Sequence, residues 1–191
     1  MHSWYQMMLA TNESLYAWMD EGFTSYASSR VMQHLIENKI LMPGRVAANP
    51  QAGNYAGYFN LAKSGFEEPL STHADHFQTN RAYGLAAYSK GSVFLAQLEY
   101  VLGKPIFDQA LLRYFYTWKG KHPNVNDFIR VFEKSSQLEL DWYKEYWVNG
   151  TKTIDYGIDS LWEEGGKSKV RIKRLNEIPM PIDLVLTFND G

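Results

Sequence analysis

Residues 13–38 constrain the fold more tightly than any other part of the chain. Leu15, Trp18, Met19, Phe23, Tyr26, Val31 and Leu35 recur at steps of three and four residues, which on a helix gathers them into one apolar stripe. The spacing predicts a long amphipathic helix, with Asn12 as its candidate N-cap. Glu21 lies away from the centre of the stripe, among Ala17, Thr24, Ser25 and Ser28. A solvated face would carry more Lys and Glu, so small residues around one carboxylate point to a second element approaching closely. Gly22 supports this, because Gly inside a helix costs about 1 kcal/mol relative to Ala and needs a packing reason.

Further helices follow. Residues 88–102 read as a mostly apolar, buried helix stopped by Gly103. Pro105 suits the start of the next helix, which carries Phe107, Leu111, Leu112, Phe115 and Trp118, and His122-Pro123 breaks it. Asn124 or Asn126 then caps a helix with Phe128, Ile129, Val131 and Phe132, and a last helix spans about residues 140–147. Antiparallel pairs with short loops are the natural packing. Residues 42–71, rich in Gly, Pro, Asn and Ala, read as an irregular excursion, either a groove wall or a surface loop, with helical potential around residues 55–63. After Gly150 the period changes. Residues 154–162 and 169–175 alternate about a turn at residues 164–167, and residues 182–188 are a third strand candidate. The expected fold is mainly α over residues 1–150, followed over 151–191 by a small antiparallel β segment, the truncated start of a β domain.

Composition narrows the function classes. With 45% hydrophobic and 21% charged residues in 191, the chain has material for a real core. A net charge of −2 and no Lys/Arg block argue against nucleic acid or an anionic membrane as partner. No run of about 18 apolar residues is present, so no membrane span is read. The absence of Cys excludes disulfides and thiolate metal sites without fixing a compartment. Six Trp, thirteen Tyr and ten Phe suit a packed helical body or a groove wall.

The candidate zinc-chemistry residues are His2 and Glu21. A catalytic zinc takes three protein ligands from His and Glu and keeps an open position for water. A helical H-E-x-x-H presents two His on one face and leaves its Glu to activate the water. The third ligand comes from another segment, which the 18 residues between His2 and Glu21 allow. Here Glu21 sits in Trp18-Met19-Asp20-Glu21-Gly22-Phe23-Thr24-Ser25-Tyr26. This stretch resembles the aminopeptidase N family of zinc metallopeptidases, the gluzincins, whose H-E-x-x-H is followed by 18 residues and a Glu within W-x-x-E-G-F-x-S-Y. The chain is thus similar to the helical C-terminal part of a gluzincin catalytic domain, entered at the second His of the motif.

The resemblance implies that His2 and Glu21 are two of three zinc ligands, and that the first His and the general-base Glu lie upstream of Met1. It also implies that Tyr88, in Tyr88-Ser89-Lys90-Gly91, is the oxyanion donor of the family's Y-x-K-G motif. Weaker likeness continues through His122-Pro123, Asp127-Phe128 and Asp141-Trp142. The implied function is hydrolysis of peptide bonds at N-termini by zinc-activated water, with a peptide as substrate. The chain alone is expected to bind zinc weakly or not at all and to be inactive. Two departures stand out. Ser28 occupies the position, seven after Glu21, where the family often has an acidic residue supporting a zinc-bound His, and no G-x-M-E-N segment for the substrate amine is present. A rival reading is a non-catalytic helical binding module with a degenerate site. His73 and His76, spaced i, i+3 with Asp75 between, are a second metal candidate without a third anchor, and His34 and His122 are weaker still.

Overall fold

The computed structural model describes residues 1–41 and 49–187. The chain divides into two units, Met1–Thr151 and Lys152–Gly191.

The first unit is helical. After the short α1 (Gln6–Leu9) come α2 (Ala17–Glu37), α3 (Ala52–Lys63), α4 (Asn80–Gly84), a π-helical turn (Leu85–Lys90), α5 (Gly91–Leu102), α6 (Lys104–Trp118), α7 (Val125–Ser136) and α8 (Asp141–Val148). The long helix α2 starts later than the periodicity predicts. Asn12 accepts hydrogen bonds from the amides of Ser14 and Leu15, at 3.1 and 3.2 Å, and so closes a turn ahead of the helix instead of capping it. The apolar stripe is buried at Trp18, Met19, Phe23 and Tyr26, whereas Leu15 and Val31 are exposed and Leu35 is half-buried. Helix α6 buries Phe107, Ala110 and Tyr114, and Leu112, expected in the core, faces solvent.

The core is aromatic. Phe128 and Phe132, one turn apart on α7, have ring centroids 4.2 Å apart, and Trp18 of α2 meets Phe94 of α5 edge-on at 4.9 Å. Tyr143 of α8 is buried and donates its hydroxyl to the Phe94 carbonyl at 2.7 Å, tying α8 to α5. Asn124, one of the two predicted caps, forms a capping box: its side chain accepts from the amides of Asn126 and Asp127, and Asp127 accepts in return from the Asn124 amide. Of the segment expected to be irregular, residues 42–48 lie outside the described residues, and the predicted helical potential at 55–63 is realised as α3.

The second unit carries an antiparallel hairpin, β1 (Tyr156–Glu164) and β2 (Lys167–Arg174), with a register from Tyr156 opposite Arg174 to Glu164 opposite Lys167. Gly165 and Gly166 form the two-residue turn with φ of +62° and +70°. A turn with both central residues at positive φ matches the twist of the strands, and glycine accepts that conformation without strain. Residues 182–187 are not a strand, contrary to the sequence expectation, and Phe188 lies outside the described residues.

Candidate metal centre and active site

The Gly22 backbone decides where the site forms. A Cβ built on Gly22 would lie 2.7 Å from Gly91 Cα and 3.0 Å from the Ala87 carbonyl oxygen. Helix α2 and the π-turn–α5 helix therefore cross backbone to backbone, as the small residues around Glu21 predict. That crossing brings Tyr88, on the π-turn, close to Glu21, on α2. Hydrogen bonding to the Glu21 carboxylate, then burial and the Glu21 charge, hold the Tyr88 phenol well above its ordinary pKa. The residue is nevertheless 42% exposed.

His2 comes from the opposite direction. The segment bearing it is tied down: the Gly120 and His122 amides donate to the Met8 and Leu9 carbonyls at 2.6 and 3.1 Å. His122 also places Nδ1 2.8 Å from the Ala10 carbonyl, and Leu9 is fully buried. His2 is thus no frayed terminal residue. Its Nδ1 lies 2.8 and 3.0 Å from the two oxygens of Asp20, and its Nε2 lies 3.6 Å from Glu21 Oε2. With Nδ1–H donating to Asp20, the Nε2 lone pair is free toward Glu21. His2, Asp20 and Glu21 form a cluster whose ligand atoms all lie within 4.8 Å of one another.

Asp20 was not legible as a site residue. Its side chain is buried, and desolvation, partly offset by the hydrogen bond from His2, raises its pKa. A carboxylate that orients a ligating imidazole is a usual feature of metal sites. The sequence reading looks for that support at position 28, where Ser stands; here Asp20 makes the contact from the residue before Glu21. The signal was an acid inside the apolar stripe of α2. Burial first, then the charges of Glu21, Glu13 and Asp20, raise the phenol of Tyr83 on α4.

His73 and His76 stack with ring centroids 5.0 Å apart. His73 Nδ1 accepts from the Asp75 amide, capping a 3₁₀ turn. Among the described residues they belong to no cluster of three metal-ligating side chains. His34 pairs locally with Asn38.

An imidazole nitrogen and a carboxylate oxygen are donor types that a divalent metal takes. Comparison with known proteins gives the family. The profile of the Peptidase family M1 domain matches residues 1–147, and the chain belongs to that family. Leucine aminopeptidase 2 of Emericella nidulans is 26% identical over 162 residues, covering 78% of this chain and 25% of the relative. The Aspergillus terreus leucine aminopeptidase 2 is 25% identical over 229 residues, covering 98% of this chain and 34% of the relative. Aminopeptidase N of Haemophilus influenzae is 22% identical over 161 residues, covering 84% and 17%. The chain therefore spans between 17% and 34% of these relatives' length. The M1 zinc metallopeptidase of Deinococcus radiodurans superposes with a TM-score of 0.60 at 20% identity, over 78% of this chain and 31% of that one, and so shares its fold. No helix among the described residues is long and apolar enough to cross a membrane.

Proposed function

We propose that the chain is part of a zinc-dependent aminopeptidase in which His2 Nε2 and Glu21 are metal ligands and Tyr88 stabilises the oxyanion. One observation carries the reading: Glu21 Oε2 is buried, has no hydrogen-bond partner among the described residues, and lies 3.6 Å from His2 Nε2, with the Tyr88 phenol close by. An orphaned buried carboxylate oxygen is costly unless something occupies the space before it, and a nitrogen–oxygen donor pair suits zinc. The relatives' names, leucine aminopeptidase and aminopeptidase N, support peptide N-termini as the substrate class.

When bound, zinc would polarise the scissile carbonyl and lower the pKa of a bound water. Asp20 holds the His2 ring so that Nε2, not Nδ1, faces the metal. Glu21 supplies an oxygen from the rigid middle of the site. Tyr88, whose phenol stays protonated at neutral pH, donates its hydrogen bond to the developing oxyanion. Two ligands fall short of the three a catalytic zinc takes. The reading assigns the third, and the general-base Glu, to sequence ahead of His2.

Two measurements test this. Elemental analysis of the chain after dialysis should find well under one zinc per molecule, and still less in Glu21→Ala. In the complete peptidase, Tyr88→Phe keeps the ring and should leave zinc content and fold unchanged. Loss of an oxyanion donor should lower kcat by about 10²–10³ with little change in KM. Near-normal kcat in Tyr88→Phe would reduce Tyr88 to a structural aromatic.

A further inference from the structure

The four residues Tyr88 to Gly91 each meet a different neighbour. Tyr88 reaches Glu21 on α2. Ser89 packs so closely on α3 that a Cβ at Gly57 would collide with its Oγ. Gly91 lies against Trp18 and Gly22, a Cβ there falling 3.1 Å from Trp18 Cβ. Lys90 is the unexpected member. It is 1% exposed, yet it carries an ammonium, placed 2.7 Å from Glu67 Oε1 and 2.9 Å from the Gly150 carbonyl oxygen. Glu67 is buried as well, at 6% side-chain exposure.

A buried ion pair is a poor device for stability. Desolvating both charges offsets their attraction, and well-packed apolar residues of similar size serve as well or better. What such a pair does supply is register, because each charge accepts only one arrangement of partners. Register is the problem at this point of the fold. Residues 80–102 run as one continuous helix, and its α-helical ladder is interrupted by the π-turn Leu85–Lys90. A π-turn is rare and inserts its extra residue into a ladder that would otherwise close as α-helix. Closing it would rotate the side chains by about 100° for each residue of shift, which carries Tyr88 away from Glu21. Gly91 cannot prevent this alone, since a glycine has no side chain by which to be held. Lys90 is held at its far end by two fixed acceptors, one before the helix in sequence and one at the end of α8.

We propose that Lys90 is a positioning residue: its buried pairing with Glu67 and the Gly150 carbonyl holds the π-turn in the register that aims Tyr88 at Glu21. The inference rests on the reading of Tyr88 and Glu21 as site partners given above. Lys90 touches neither metal nor substrate.

The test uses the 191-residue chain with ¹³C-labelled tyrosine, the Tyr88 Cζ resonance being assigned by its loss in Tyr88→Phe. In the wild-type background, Glu21→Gln should move that resonance, because it changes the acceptor of the phenol. In the double variant Lys90→Met/Glu67→Leu, which leaves no unpaired buried charge, the melting temperature should be kept and the response to Glu21→Gln lost. Lys90→Arg, retaining the charge, should restore part of the response. If the folded double variant keeps the full response, Lys90 does not position Tyr88 and the proposal fails. If the double variant does not fold, the pair is a requirement of folding and the proposal fails equally. If Glu21→Gln leaves the wild-type resonance unmoved, the pairing of Tyr88 with Glu21 is wrong; that separates failure of the site reading from failure of this one.

Discussion

Replacing Gly22 by Ala should destabilise the chain, although Ala is the better helix former. In an open helical position the change stabilises by about 1 kcal/mol. At position 22 the new methyl would sit 2.7 Å from Gly91 Cα, 2.8 Å from Gly91 C and 3.0 Å from Ala87 O. All three are backbone atoms of the helix that carries Tyr88, so relief requires displacing that helix rather than turning a side chain. Overpacking costs about 1–3 kcal/mol, which cancels or exceeds the propensity gain and leaves a net loss of up to about 2 kcal/mol. For a unit of this size each kcal/mol lowers Tm by about 2–4 °C. At Gly53, near the start of α3, nothing among the described residues lies within 4 Å of the corresponding Cβ. Gly53→Ala should therefore stabilise, by up to about 1 kcal/mol. Urea denaturation followed by circular dichroism, with the two variants side by side, reads opposite signs. A Gly22→Ala chain stabilised as much as Gly53→Ala would refute the backbone crossing, and with it the placement of Tyr88 close to Glu21.

Asn124→Ala removes the acceptor of two helix-start amides and should cost about 0.5–2 kcal/mol in denaturant unfolding, with no effect on metal affinity. Asp108 gives a pH dependence of defined sign. Burial, the largest single influence, raises its pKa, but hydrogen bonds and charge from Lys104 and Arg30 together outweigh it and hold the carboxyl below its ordinary 3.8. A depressed carboxylate stabilises the folded state above its unfolded pKa and loses that contribution as pH falls through the folded value. Stability should therefore drop below about pH 4, and Asp108→Asn should flatten that limb. Because the Asp108 side chain is 40% exposed, the effect belongs to the weak, salt-sensitive class of surface pairs. An acid limb identical in Asp108→Asn and wild type would show that Arg30 and Lys104 contribute nothing through it.

Helix α7 shows what a sequence makes legible: a cap at Asn124, an acid three positions on, and apolar residues at helical spacing all lie within one turn or two of each other. The same local logic misplaced the start of α2, because the Asn12 side chain satisfies a turn as readily as a helix end, and only burial of the following residues tells the two apart. It failed altogether at residues 182–187, where apolar alternation pairs with no strand among the described residues. The candidate site divides along the same line. The resemblance carried by residues 18–26 and 88–91 pointed to His2, Glu21 and Tyr88, because donor chemistry is written in the side chain itself. Asp20 was hidden, since its part depends on where a segment 18 residues earlier docks. The π-turn was hidden too: helical periodicity gives no sign of one extra residue within a ladder. Both depend on contacts made across the fold, and one of these, Gly22 against Gly91, is made by residues with no side chain at all. A search for the site by its reactive groups therefore finds the atoms that would do the chemistry. The glycines, and the buried Lys90 beside them, determine whether those atoms meet.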